Sequence, residues 1–184
     1  MRIIAGSARG RKLEEFKNSD IRPTADRVRE ALFSMLGEDV LDKVILDLYA
    51  GSGALGIEAL SRGAKKVCFV DKDIKVVKAN LENLGFSKQA EVIKACVFNV
   101  TKRFFKNNKK FDIIFMDAPY NDFDINDLKK LEISGILSTK GILIIEYLAE
   151  LDLEKDIENL TCFKCKKYGK TGISFYGKKV ENGR

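Results

Sequence analysis

Five short runs of aliphatic and β-branched residues, separated by stretches with helical spacing, restrict this chain more than any other feature. Val44–Tyr49, Lys66–Asp71, Glu91–Ala95, Phe111–Asp117 and Gly141–Glu146 are almost continuously apolar. A strand that is hydrophobic at successive positions has both faces covered, as in a parallel sheet packed between helices. Between the runs, Ala54–Arg62, Ile74–Leu84, Val97–Lys106 and Ile125–Leu131 repeat apolar residues at helical intervals. The alternation predicts repeated βα units and a doubly wound, Rossmann-like α/β domain with a mostly parallel sheet.

Two segments fall outside the alternation. The tail Cys162–Val180, rich in Phe, Tyr and Lys, predicts a closing antiparallel hairpin with its turn near Gly169–Gly172. Arg2–Leu13 predicts two short strands around a Gly/Ser turn, followed by Pro23-Thr24 and a helix from Ala25 to Leu36. Thr24 reads as the cap of that helix and Pro23 as its rigid entry. The expected organisation is a small hairpin-and-helix extension over residues 1–38 and a main domain over 39–184. The 184 residues, 45% of them hydrophobic, suffice for one substantial core.

The first βα junction carries a chemical signal, Asp47-Leu48-Tyr49-Ala50-Gly51-Ser52-Gly53-Ala54-Leu55-Gly56. Glycines at 51, 53 and 56 allow a sharp turn off the strand, a close approach to a ligand, and tight packing of the next helix. Asp71 ends the second predicted strand at the distance where an acid accepts hydrogen bonds from ribose hydroxyls. The ligand is therefore expected to contain a nucleoside. A dehydrogenase would need a further region for its substrate, whereas this chain spends its length on one sheet and its two ends. Carboxylates at 47 and 71 suit the ammonium, sulfonium and ribose of S-adenosylmethionine better than they suit a pyrophosphate.

A second signal, Asp117-Ala118-Pro119-Tyr120, follows the fourth apolar run directly. By themselves these residues fit an ordinary turn as well as a working site. The chain has no histidine, which removes the commonest general base and every Ser-His or Cys-His nucleophile. Cys162-Phe163-Lys164-Cys165 is its one CxxC spacing, so no zinc site is expected. Chemistry here must run on carboxylates, backbone groups, aromatic rings and a cofactor.

Taken together, these motifs resemble the class I methyltransferases, and within them the bacterial small-subunit ribosomal RNA guanine-N2 methyltransferase family. The resemblance rests on Arg22-Pro23-Thr24 with Asp26-Arg27-Val28-Arg29-Glu30-Ala31-Leu32-Phe33, on the glycine loop through Ile57-Glu58-Ala59, on Asp117-Ala118-Pro119-Tyr120, and on Tyr168-Gly169 with Thr171. It covers nearly the whole length. The family's tetrapeptide is usually Asp-Pro-Pro-Tyr, so Ala118 frees one backbone step that Pro119 still restrains. Where many relatives of the wider class hold the adenine amine with an acid or amide, this chain has Ala95-Cys96-Val97, which leaves adenine to backbone groups and apolar contacts.

The resemblance implies methyl transfer from S-adenosylmethionine to the exocyclic N2 amine of a guanine. Asp117 and the Pro119 carbonyl would hold the amine while Tyr120 stacks on a base drawn out of its helix. The cofactor set would be Asp47, Ala50, Gly51, Gly53, Gly56, Asp71, Cys96 and Val97. Arg9, Arg11, Lys12, Arg22, Arg27 and Arg29 would meet RNA phosphates. Charge fits this: residues 1–30 carry eight Lys/Arg against five Asp/Glu, residues 162–184 seven against one, and the whole chain is +6. The alternatives are a DNA amino-methyltransferase acting on adenine N6 or cytosine N4, which usually has an added target-recognition region, and a nucleotide-binding redox module. The expected protein is a cytoplasmic monomer without membrane or metal partners, acting on ribosomal RNA, free or within an assembling small subunit.

Overall fold

In the computed structural model, residues 1–15, 23–119, 128, 131, 133–151 and 153–179 are described. After helix α1 (Pro23–Leu36) come β1 (Val44–Leu48), α2 (Ala54–Ser61), β2 (Lys66–Asp71), α3 (Lys75–Leu84), β3 (Ala90–Lys94), α4 (Val97–Lys106) and β4 (Phe111–Asp117). A helical turn at Ile133–Ile136 leads into β5 (Leu137–Leu148), followed by β6 (Asp156–Ile157), β7 (Leu160–Tyr168) and β8 (Thr171–Lys178). They form one sheet in the order β3-β2-β1-β4-β5-β8-β7-β6. Strands β1 to β5 pair in parallel, and β8, β7 and β6 close the sheet antiparallel. The parallel order reverses at β1, between β2 and β4, and such a switch point opens a crevice beyond the strands' carboxyl ends.

Alternate residues of each strand feed opposite cores, which explains the continuous apolar runs. Ile45, Val67, Phe69, Ile113, Phe115 and Ile144 join Val28, Leu32, Phe33 and Ile57 on one face. Leu46, Leu48, Val70, Ile114, Met116 and Ile145 join Val100 and Phe104 of α4 on the other. Gly56 is required by this packing, because a Cβ there would lie 2.3 Å from the Phe69 ring.

All five expected parallel strands are present, and the tail is the expected hairpin, turning at Gly169–Lys170. Helix α1 begins at Pro23, two residues ahead of the expected start, as suits a proline whose missing N–H is no loss in a first turn. Strand β5 begins at Leu137, earlier than its apolar run, since Ser138, Thr139 and Lys140 still extend. The expected helix Ile125–Leu131 lies outside the described residues apart from Leu128 and Leu131.

The amino-terminal hairpin is the main departure. Only one bridge joins its arms, Arg2 to Lys12. Around it the Ile3, Leu13 and Gly10 amides donate to the Arg11, Met1 and Ile3 carbonyls, and α2 holds the turn between the arms: Glu58 accepts from the Ile4 and Ala5 amides at 2.8 and 3.0 Å, and the Ser61 hydroxyl accepts from the Ala8 amide and donates to the Ala5 carbonyl. Gly6 permits this contact, since a Cβ would overlap the Ser61 carbonyl oxygen. Ile3, Ala8 and Leu13 then enter the same core as α1 and β1.

Candidate active site

Strand β1 ends where Tyr49 takes a left-handed conformation, φ +59°, and Gly51 and Gly53 follow at φ +55° and +81°. This folds the loop back over the strand ends and starts α2 from Gly53. One Asp71 oxygen accepts from the Gly51 amide at 2.9 Å and the other from the Asp73 amide at 2.9 Å. The carboxylate therefore fixes the loop while remaining in the wall of a cavity of about 530 Å³. That cavity is lined by Tyr49, Gly51, Asp71, Lys72, Cys96, Val97, Phe98, Asp117 and Pro119. The two sequence signals, 66 residues apart, thus meet in one crevice at the switch point.

Asp117 reaches this cavity from the end of β4. Its side chain is open to the cavity, and partial dehydration by the walls raises its carboxyl above the ordinary range. Cys96, Val97 and Phe98 line it from the start of α4, apolar except for backbone groups and a thiol.

Several expected site residues stand elsewhere. Asp47 is not in the cavity wall: it is buried beneath the loop, where its Oδ2 accepts from the Gly56 amide at 2.9 Å. Burial, opposed by that hydrogen bond and reinforced by the nearby Asp117 and Asp71 carboxylates, pushes its pKa well up. A side chain so enclosed holds the loop rather than a cationic ligand. Ala50 likewise builds the turn, its amide donating to the Val70 carbonyl and its carbonyl accepting from Gly53. Gly53 and Gly56 shape α2 from behind the cavity; a Cβ on Gly53 would strike Val77.

The basic residues divide in the same way. Arg9, Lys12 and Arg27 are exposed. Arg29 is buried, its Nη2 donating to the Arg2 carbonyl and to Asp26, with Glu58 3.9 Å from its Nε. It braces the amino-terminal arm and is closed to a phosphate. Arg11 keeps an exposed side chain but spends its guanidinium on the Leu84 and Asn83 carbonyls at the end of α3. Arg22 and Tyr120 lie outside the described residues. Tyr49, Lys72 and Phe98 line the cavity without having been singled out in the sequence; each adjoins a recognised motif, which was the available signal.

A doubly wound sheet closed by an antiparallel hairpin, with its cavity over a glycine loop, is the architecture of the class I methyltransferases. The family described as Conserved hypothetical protein 95 matches residues 1–177, and this chain belongs to that family. A relative from Haemophilus influenzae, Ribosomal RNA small subunit methyltransferase D, is 38% identical over 185 residues, spanning 96% of this chain and 93% of the relative. A solved structure from Escherichia coli, "Putative methyltransferase yhhF", superposes with a TM-score of 0.80 at 31% identity, covering 98% of this chain and 99% of that one. A Thermus thermophilus 16S rRNA N2 methyltransferase, solved in complex with AdoMet and guanosine, shares the fold at TM-score 0.69 and 22% identity over 89% of this chain and 45% of that one.

Proposed function

We propose that this chain is an S-adenosylmethionine-dependent methyltransferase that modifies the exocyclic N2 amine of a guanine in small-subunit ribosomal RNA. The observation that carries this reading is the shared cavity, where Gly51 of the glycine loop and Asp71 at the end of β2 meet Asp117 and Pro119 of the amine-holding motif. The lining suits the cofactor: a carboxylate for the ribose diol, an apolar stretch at Cys96, Val97 and Phe98 for adenine, and a volume within the range of small-molecule sites.

When bound, S-adenosylmethionine supplies an electrophilic methyl carbon, so that the N2–C bond forms as the C–S bond breaks with its electron pair left on sulfur. The protein's part is alignment and proton handling. An exocyclic amine is a weak nucleophile while its lone pair is delocalised into the ring. Asp117 accepts one amine hydrogen and the Pro119 carbonyl the other, which favours a pyramidal nitrogen and stabilises the positive charge that grows there. The proton that N2 sheds passes to the Asp117 carboxylate. Tyr120, next in the motif, is the stacking platform for the extruded base.

Residues 1–38 act as the docking extension of the transferase domain 39–184, with Arg9, Lys12 and Arg27 on its exposed surface. The enzyme works as a cytoplasmic monomer on ribosomal RNA, free or within an assembling small subunit. No described helix is long and apolar enough to cross a membrane.

With radiolabelled S-adenosylmethionine, undermethylated small-subunit RNA or subunits should take up label and duplex DNA should not. Label in DNA alone selects the amino-methyltransferase alternative, and calorimetric binding of NAD without S-adenosylhomocysteine selects the redox one. Asp71→Ala should weaken S-adenosylhomocysteine binding roughly 10- to 100-fold, since charged hydrogen bonds contribute about 1.5–3 kcal/mol and the Gly51 amide also loses its acceptor. An unchanged dissociation constant places the ribose elsewhere. Charge reversal of Arg9 and Lys12 to Glu should raise the RNA KM and flatten its salt dependence by roughly one unit of log–log slope per lost phosphate contact. A change confined to kcat removes that surface from docking.

A further inference from the structure

Beside Asp117, at the end of β5, stands a second carboxyl that the mechanism above does not use. Asp117 and Glu146 are direct register partners across β4 and β5. Neighbouring parallel strands bring such partners to about 4.8 Å apart with both side chains on one face of the sheet. The alternation fixes that face: Ile113 and Phe115 precede Asp117 on it, and Ile144 precedes Glu146, all within the core that includes α1 and α2. The next residue along the row, Ile173 of β8, offers neither proton nor charge. From the ends of β1 and β2 the nearby ionisable groups are Asp47, Tyr49, Asp71 and Lys72, of which Tyr49, Asp71 and Lys72 line the cavity with Asp117, while Glu146 stands beside Asp117 just outside that lining. Among the described residues neither Asp117 nor Glu146 forms an ion pair.

Two carboxyls this close, Asp117 exposed and Glu146 half-buried, do not both ionise readily. Burial and the facing Asp117 carboxylate push the Glu146 carboxyl up, and with Asp117 the more exposed of the two the shared proton rests on Glu146. Near neutral pH the row therefore holds one carboxylate and one carboxylic acid. A carboxylate only accepts hydrogen bonds, whereas a neutral carboxyl offers one acceptor and one donor. Read across the strands, the order is acceptor, acceptor, donor. The Watson–Crick edge of guanine presents its complement, the N2 and N1 hydrogens as donors and O6 as acceptor. Adenine and cytosine each place an acceptor next to their amine and lack this order.

We propose that Glu146, as a neutral acid beside the Asp117 carboxylate, reads N1–H and O6 of the acceptor guanine while Asp117 takes the N2 amine. This rests on the guanine-N2 reading above. Glu146 is then the residue that sets base specificity, and it works only while protonated.

The test uses full-length enzyme and ribosomal RNA carrying 2-aminopurine at the acceptor position, which keeps the amine but lacks both N1–H and O6. The wild type should lose about 10- to 100-fold in kcat/KM on that base, the range for two hydrogen bonds left unmade. Glu146→Gln keeps one donor and one acceptor, so it should retain the guanine preference while losing the wild type's fall in rate above about pH 8. Glu146→Ala should treat the two bases alike. Calorimetric binding of S-adenosylhomocysteine, unchanged in both variants, shows that they fold. Equal wild-type rates on the two bases, or an alanine variant that still prefers guanine, overturn the inference while leaving guanine-N2 transfer intact. A wild type that methylates some other atom overturns both.

Discussion

Replacing Asp117 with alanine should lower kcat by about 10²- to 10⁴-fold, the usual span for loss of a positioned acid–base or charge-stabilising group. Binding of S-adenosylhomocysteine should change little, because the loop that forms the cofactor side is held by other groups. The Gly51 amide is taken by Asp71 and the Gly56 amide by Asp47. Asp117 lines the same cavity but lies across it, on β4. Single-turnover rates and calorimetry on the one variant separate the two effects. A variant with near-normal turnover removes Asp117 from the chemistry, and one that fails to bind the cofactor moves it to the other side of the site.

Glu58→Ala should be strongly destabilising, at about 3–5 kcal/mol, the range for breaking a buried charge pair. Glu58 is 1% exposed and meets the Ile4 and Ala5 amides, Arg62 at 2.8 Å and Arg29 at 3.9 Å. Truncation orphans two backbone donors and leaves Arg29, itself 3% exposed, with Asp26 as its remaining carboxylate. For a chain of this size each kcal/mol lowers Tm by about 2–4 °C, so a fall of roughly 10 °C is expected. Because the same contacts seat the arm that carries Arg9 and Lys12, RNA affinity should fall at temperatures where the variant is still folded. Denaturant unfolding measures the first effect. A loss under about 1 kcal/mol shows that the arm is not anchored there.

The sheet was legible because each parallel strand is buried on both sides and so reads as an unbroken apolar run. The glycine loop was legible for a related reason: Gly51 and Gly53 adopt left-handed backbone, and Gly56 leaves no room for a side chain. Tertiary pairing was not. Arg29 and Arg27 lie two residues apart on opposite faces of α1, and which of them braces the core is decided by Glu58, faced by Arg29 alone while Arg27 stays exposed. Asp47 reads as a ligand carboxylate until the Gly56 amide is seen to occupy it. The amino-terminal arms pair around a single bridge, because Glu58 and Ser61, more than fifty residues away, take the Ile4, Ala5 and Ala8 amides of the segment between them. Glu146 is an ordinary acid at a strand end until strand register sets it against Asp117.

The central claim is tested most directly by incubating the protein with methyl-labelled S-adenosylmethionine and undermethylated small-subunit ribosomal RNA or subunits, then digesting the product to nucleosides for mass analysis. The label should appear in N2-methylguanosine. Label in N6-methyladenosine or a methylcytidine, or none in RNA, would contradict the account.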